Sequence, residues 1–384
     1  MTMHIYLTLY LNLSNHHPSN HQPKQFEFEF DSYESCKQKD TDGLVPENWC
    51  MDTTNNFPRY VGGDTRPLRT GTRTRTIRHY THEGYEHCLT NKTLVFIGDS
   101  RVRYQFMSLA LFLESKTVLK CEDYQDIFDS QNSNNNNNTT ELPFTPDPNC
   151  FLINETLETM PWNDWYQKTT AALPGSLCDC YRPLEFTPSA TFENRFVRRS
   201  TQYGGAINLV YLQSFENNVR MNEDFPPFAP YEFYDDVANA ANNYNATATT
   251  RCKPGLCGAA TRTNAFEGDV IETLRSIVPK LNATHVFVQS GWQFVDLSCE
   301  LWEFETNHPG IRAFLITHPY TEMSLDLYPE FDATNLTCDS GVIDRSVVTK
   351  GVPKNWFWDD LHVYGIVNEA FNHLVMEHVC PIQG

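Results

Sequence analysis

Three side chains in this chain have the types and the order that nucleophilic catalysis requires. Ser100 follows Gly98 and Asp99 within TLVFIGDSRVRYQFMSLALF (93–112), and Asp359 and His362 stand three residues apart within NWFWDDLHVYG. A serine hydroxyl is a poor nucleophile until a base takes its proton. An imidazole base in turn needs a carboxylate to hold its tautomer and stabilise the imidazolium. Ser100 offers the hydroxyl, His362 the base and Asp359 the carboxylate, with Asp360 as the rival partner for the imidazole. The chemistry would be acyl transfer through an acyl-serine. Ser100 has a second reading, because it opens a helical pattern and serine caps helices well. A lone D-x-x-H is a weak signal. A strand-GDS-helix early in the chain and a D-x-x-H just before the last helical pattern make a stronger one together.

The elements that must hold these residues follow from periodicity. Leu94–Ile97 is a short apolar run of the kind that makes a buried strand, and it leads through Gly98-Asp99-Ser100 into a helical pattern. Similar runs occupy 206–213, 284–291 and 311–319. Helical spacing puts Val270, Leu274, Ile277 and Val278 on one face. Near the C-terminus it does the same for Ile366, Ala370, Phe371, Leu374 and Val375. Strands alternating with helices predict an α/β fold, a mostly parallel sheet with helices on both faces. In such a sheet ligands bind outside the carboxyl ends of the strands. Ser100 falls at such an end, where a helix N-terminus offers N–H groups to a developing oxyanion. Arg103 lies one helical turn after Ser100. It is read either as a ligand for a substrate oxygen or as a structural partner of an acid. The stretches 121–205, with its asparagine run, and 214–265 break the alternation and read as insertions over the strand ends.

Composition limits the partners. A net charge of −19 argues against nucleic acid. Twelve cysteines without a paired CxxC pattern favour disulfides in an oxidising compartment over zinc. Sequons beginning at Asn12, Asn91, Asn137, Asn138, Asn154, Asn245, Asn282 and Asn335 point the same way. No apolar run approaches the roughly 18 residues of a membrane span. Residues 1–30 read as leader and linker, although MTMHIYLTLYLNLS lacks a basic start and a clear cleavage site. Residues 31–93 read as a cysteine-containing, loop-rich segment packed on the core, and 94–384 as the main domain. TRPLRTGTRTRTIRH (65–79) is a basic island, either a solvated stretch or a rim for anionic or sugar groups.

The two end motifs together resemble those of the SGNH/GDSL hydrolase superfamily. The resemblance is to its PC-esterase branch, which holds the plant trichome-birefringence-like polysaccharide O-acetyltransferases and the catalytic domain of sialate O-acetyltransferase. The branch's G-D-S-x-x-R-x-Q block is matched by Gly98, Asp99, Ser100, Arg103 and Gln105, and its terminal D-x-x-H by Asp359 and His362. The lead-in GLVPENWCMD is also similar. The resemblance implies an SGNH-hydrolase/flavodoxin-like three-layer sandwich with Ser100 as nucleophile, His362 as base and Asp359 as its orienting acid. It further implies an oxyanion and substrate-binding set of Gly98, Asp99 and Arg103 with Gly291 and Gln293. Gln293 stands where the superfamily has an asparagine, and VYLQSFENN carries no second-block glycine. The implied function is carbohydrate O-acetyltransfer in the secretory pathway, in the Golgi lumen or after secretion. Its partners are a carbohydrate and an acyl donor, with no metal or organic cofactor. A carbohydrate acetylesterase with the same residues, and a catalytically inactive glycan-binding domain, remain the alternatives. His318, at the end of IRAFLITHP, reads as a cleft or a structural histidine. Trp356, Phe357 and Trp358 read as a sugar platform or a wall under the last helix.

Overall fold

The computed structural model of the protein describes residues 49–52, 57–60, 81–115, 176–181, 192–215, 218–221, 266–289, 296–319, 337–338, 340–350, 352, 357, 361–363 and 365–380. The apolar runs form strands. β3 (Thr93–Gly98) is buried at every position, and β6 (Gly205–Phe215), β9 (His285–Val288) and β10 (Arg312–Ile316) arise from the other three runs. With β11 (Gly341–Ile343) they make a five-stranded parallel core ordered β11-β10-β9-β3-β6. Ranked along the chain, the order from the β6 side is 2-1-3-4-5. Connections therefore leave β3 and β9 toward opposite sides, which opens a crevice at their carboxyl ends.

The sheet is covered on both faces, and the alternation of β3 shows how. Leu94 and Phe96 enter one core, with α1 (His82–Leu89), α2 (Ser100–Ser115) and α6 (Gly365–Val379). Val95 and Ile97 enter the other, with α3 (Val270–Ser276) and α4 (Ser298–Asn307). These four strand residues have no exposed surface, and each contributes about 1.5–3 kcal/mol by burial. Val270, Leu274, Ile277 and Val278 are buried as their spacing predicts, as are Ala370, Phe371, Leu374 and Val375 of α6. A capping box starts α3: the Glu272 N–H donates to Asp269 Oδ1 at 2.7 Å and the Asp269 N–H to Glu272 Oε2 at 3.1 Å.

Three parts of the architecture differ from the sequence reading. The first insertion contains β4 (Ser176–Tyr181) and β5 (Phe192–Thr201), which extend the sheet antiparallel from β6. The second contains β7 (Asn218–Met221), which pairs antiparallel with β6 and with β8 (Phe266–Asp269). Thus the insertions partly widen the sheet. The segment expected to be loop-rich holds β1 (Trp49–Asp52) paired with β2 (Phe57–Tyr60), and α1. It is tied to the core: the Trp49 indole N–H donates to Val348 O at 3.2 Å, just before the end of α5 (Ser346–Thr349), and Cys88 is disulfide-bonded to Cys380. A second disulfide joins Cys299 and Cys338. Among the described residues no helix is long and apolar enough to cross a membrane. The disulfides are compatible with a secreted or lumenal protein.

Candidate active site

The site begins with the glycine that ends β3. A Cβ on Gly98 would lie 2.6 Å from Val102 Cγ2 and 3.1 Å from the Gln289 Cβ. Only glycine lets the strand end pass between α2 and the end of β9. The buried Tyr211 of β6 holds the turn, its hydroxyl 3.1 Å from Gly98 O and 3.0 Å from Asp99 O.

Asp99 takes over the capping of α2. Its carboxylate accepts from the Arg101 N–H at 2.9 Å, and its backbone carbonyl accepts from the N–H groups of Val102 and Arg103, both at 3.1 Å. Arg101 returns its guanidinium to the same carboxylate, with Nε 3.0 Å from Oδ2 and Nη2 on the same oxygen. Burial works to raise the Asp99 carboxyl. The Arg101 charge and hydrogen bonds outweigh it and hold the group well below the usual carboxylate range. Three first-turn N–H groups are therefore committed to Asp99, so the helix start offers an oxyanion less than the sequence suggested. None of the three is Ser100's own N–H.

Relieved of capping, Ser100 is the first residue of α2, and its Oγ lies 2.6 Å from His362 Nε2. The two residues are 262 positions apart in the chain. His362 belongs to the segment before α6 and is half-buried, with its ring edge-on to Tyr104 at 5.3 Å between centroids. The neighbouring Val363 forms an antiparallel bridge with Phe357, and both pack on the first core. A shallow pocket adjoins His362, between Arg101, Tyr104, Pro319, Asn368 and Phe371. Asn368 Nδ2 donates to Val363 O at 3.2 Å. Its buried Oδ1 has no donor among the described residues.

Arg103 does not line this pocket. It pairs with Glu193 of β5 at 2.8 Å, with both side chains buried, and Arg101 is the arginine beside His362. Gln105 is wholly buried and serves the scaffold: its Oε1 accepts from Arg345 Nη1 at 3.4 Å and its backbone carbonyl from Asn372 Nδ2 at 3.3 Å. His318 is buried at the end of β10 with Nδ1 2.6 Å from Gln289 Nε2. Burial pulls the Arg345 guanidinium down to about 9, with Arg101 pushing the same way and Asp99 opposing, so it remains a cation at neutral pH. Asp359, Asp360, Gly291, Gln293, Trp356, Trp358 and the basic island lie outside the described residues. Sequence reasoning missed Tyr211, Gln289, Arg345 and Asn368. Each belongs to an ordinary strand end, turn or helix face, and only its neighbours in space mark it.

Among the described residues no three His, Cys, Asp or Glu side chains cluster to hold a metal ion. The chain matches no family model, no curated protein and no solved structure.

Proposed function

We propose that the protein is a carbohydrate O-acetyltransferase that works through an acyl-Ser100 intermediate. The observation that carries this reading is the 2.6 Å contact between Ser100 Oγ and His362 Nε2 at the β3/β9 crevice. A serine on the first turn of a helix, free of the capping role and bonded to an imidazole from the far end of the chain, has the arrangement of an activated nucleophile. The strand order 2-1-3-4-5, with one core on each face, supports the finer fold reading of a flavodoxin-like three-layer sandwich of SGNH-hydrolase type.

In this mechanism His362 takes the Ser100 proton as Oγ attacks the carbonyl carbon of the acyl donor. The tetrahedral intermediate collapses, and the leaving group departs with the proton from His362. A sugar hydroxyl then gives its proton to His362 and attacks the acyl-serine. Collapse of the second intermediate releases the acetylated sugar and returns the proton to Ser100. Asp359 is assigned as the carboxylate that orients His362. The two disulfides support work in the secretory pathway.

The test supplies purified protein with an activated acetyl ester, in water alone or with a panel of oligosaccharides. The expected result is acetylated oligosaccharide, with slow acetate release when no acceptor is present. Ser100→Ala should abolish turnover, and His362→Ala should be nearly as severe because nucleophile and base act as a unit. Acetate release at one rate with or without acceptor would make the protein an esterase. Glycan binding without any turnover would make it an inactive binding domain.

A further inference from the structure

Arg345 is wholly buried, and among the described residues its guanidinium bonds only neutral acceptors. Nε donates to Thr317 O at 2.7 Å, Nη2 to Gln289 Oε1 at 2.9 Å and Nη1 to Gln105 Oε1 at 3.4 Å, while Cζ sits 5.2 Å from the centre of the Phe371 ring. A buried cation without a bonded carboxylate is expensive, and neutral acceptors recover only part of what water gave it. Stability alone is a poor reason for such a residue.

Its contacts supply another reason. Gln105 lies on α2, whose first residue is Ser100, and Phe371 lies on α6, which begins just after His362. Arg345 thus touches both helices whose relative placement sets the Ser100–His362 distance. Its third contact decides a tautomer. A guanidinium only donates, so the Gln289 atom facing it must be Oε1. Gln289 Nε2 then faces His318 and donates to Nδ1, which must hold a lone pair. His318 is therefore neutral, with its ring proton on Nε2. A neutral His318 leaves Asp99, the capping residue before Ser100, to its pairing with Arg101. Gln289 also packs on Gly98 itself, where a Cβ would meet it at 3.1 Å.

We propose that Arg345 is a positioning residue for the Ser100–His362 pair, acting through Gln105 and Phe371 on the spacing of the two helices and through Gln289 on the tautomer of His318. The kinetic part of the test rests on the acyl-transfer reading, whereas the spectroscopic part does not.

The test compares the full chain with Arg345→Met, Arg345→Lys and Gln289→Glu. Histidine tautomers are read by ¹⁵N NMR, and the rate of Ser100 labelling by a fluorophosphonate is followed against pH. Gln289→Glu is the decisive variant. It is nearly isosteric, gives Arg345 a carboxylate partner and so should fold at least as well as wild type. It also turns the donor facing His318 Nδ1 into an acceptor. The expected result is Nε2-protonated neutral His318 in wild type and an Nδ1-protonated ring in Gln289→Glu. Labelling should be at least tenfold slower, with a displaced pH profile. Arg345→Met should slow labelling comparably, and Arg345→Lys, which keeps the charge but reaches fewer acceptors, should fall between. An Nδ1 proton on wild-type His318, or wild-type labelling rates and pH profile in a folded Gln289→Glu with its ring proton moved, would overturn the proposal. If wild type is not labelled at all, the acyl-transfer reading fails, and the His362 resonances decide the positioning claim. A single Ser100-bonded state lost in Arg345→Met supports it, and an unchanged His362 spectrum refutes it.

Discussion

Two clusters of buried arginine lie on either side of α2, and they handle their charge in opposite ways. On the β5 side, Arg103 and Arg195 both bond the carboxylate of Glu193, and all three side chains are almost without exposure. On the crevice side, Arg345 bonds two amide oxygens and a backbone carbonyl, and the carboxylate of Asp99, the residue before Ser100, is taken by Arg101. The first cluster shares one carboxylate between its two cations and joins α2 to the antiparallel extension of the sheet. The second leaves a cation on neutral ligands supplied by the ends of β9 and β10 and by α2. Paired charge is an arrangement for holding a structure. A cation held by dipoles keeps its field for whatever enters the crevice, and a catalytic site benefits from such fixed polarity.

The comparison breaks most visibly at Glu193. Glu193→Ala leaves two buried guanidinium groups without their carboxylate, which costs about 3–5 kcal/mol. The melting temperature should fall further than for any change in the crevice cluster, with little change in Ser100 labelling per folded molecule. Urea titration gives the stability directly. A loss below about 1 kcal/mol would mean that the cluster is hydrated or paired elsewhere, and the contrast would collapse.

β5 also shows why part of the fold was illegible in the sequence. FENRFVRRST reads as a charged, exposed stretch, yet Glu193, Asn194 and Arg195 are wholly buried: Glu193 meets Arg103 of α2, Asn194 meets the Arg220 carbonyl of β7, and Arg195 meets Glu193. Burial by mutual pairing leaves no apolar periodicity to detect. The parallel core was legible for the converse reason. β3, β9 and β10 are runs of branched and aromatic residues, and β11, with three residues, is too short to signal itself. At the site, the pairing of Ser100 with His362 was legible because a serine after a strand-turn and a histidine before the last helix are fixed residue types in local turns. Arg345 and Gln289 were not, because a supporting side chain is defined by where it ends up. The choice for Arg103 between substrate ligand and structural pair could be made only once Glu193 was seen beside it.

A third buried group handles charge by giving it up. His285, on β9 at the end of the sheet away from Ser100, is lowered from 6.5 to about 4, first by burial and then by the cations Lys92, Arg312 and His378. Its folded value lies below its unfolded one, so the unfolded chain binds the extra proton between these limits. The contribution is complete above about pH 6.5 and is lost as pH falls toward 4. The gap corresponds to at most about 3 kcal/mol. Melting temperatures measured from pH 4 to 7 should rise with pH in wild type and less steeply in His285→Phe. Equal slopes would show that His285 takes up its proton alike in the folded and unfolded chain.

Gly98→Ala sharpens the comparison at the site. The added methyl meets Val102 and Gln289 at once, and overpacking of this kind costs about 1–3 kcal/mol. Both neighbours adjoin groups that place Ser100. Labelling of Ser100 should therefore slow by more than the stability loss alone predicts, whereas a purely structural glycine would show the stability loss only.

The smallest expected effect is at Tyr211, and it separates holding from positioning most finely. The hydroxyl lies within reach of two carbonyls, Gly98 O at 3.1 Å and Asp99 O at 3.0 Å. The ring is wholly buried and stays in place in Tyr211→Phe. Asp99 O still accepts from the first two backbone bonds of α2. Gly98 O loses a donor, and the expected cost is about 1 kcal/mol. If the crevice cluster is built for placement, this modest loss should bring a measurable slowing of Ser100 labelling, because the two carbonyls that lose the hydroxyl belong to the two residues before Ser100. The same measurement on a hydroxyl-bearing residue of comparable stability effect on β5, away from the turn, should leave labelling unchanged. If the two variants slow labelling equally, the turn before Ser100 is no more tightly placed than the rest of the sheet, and the distinction between the two sides of α2 loses its kinetic meaning.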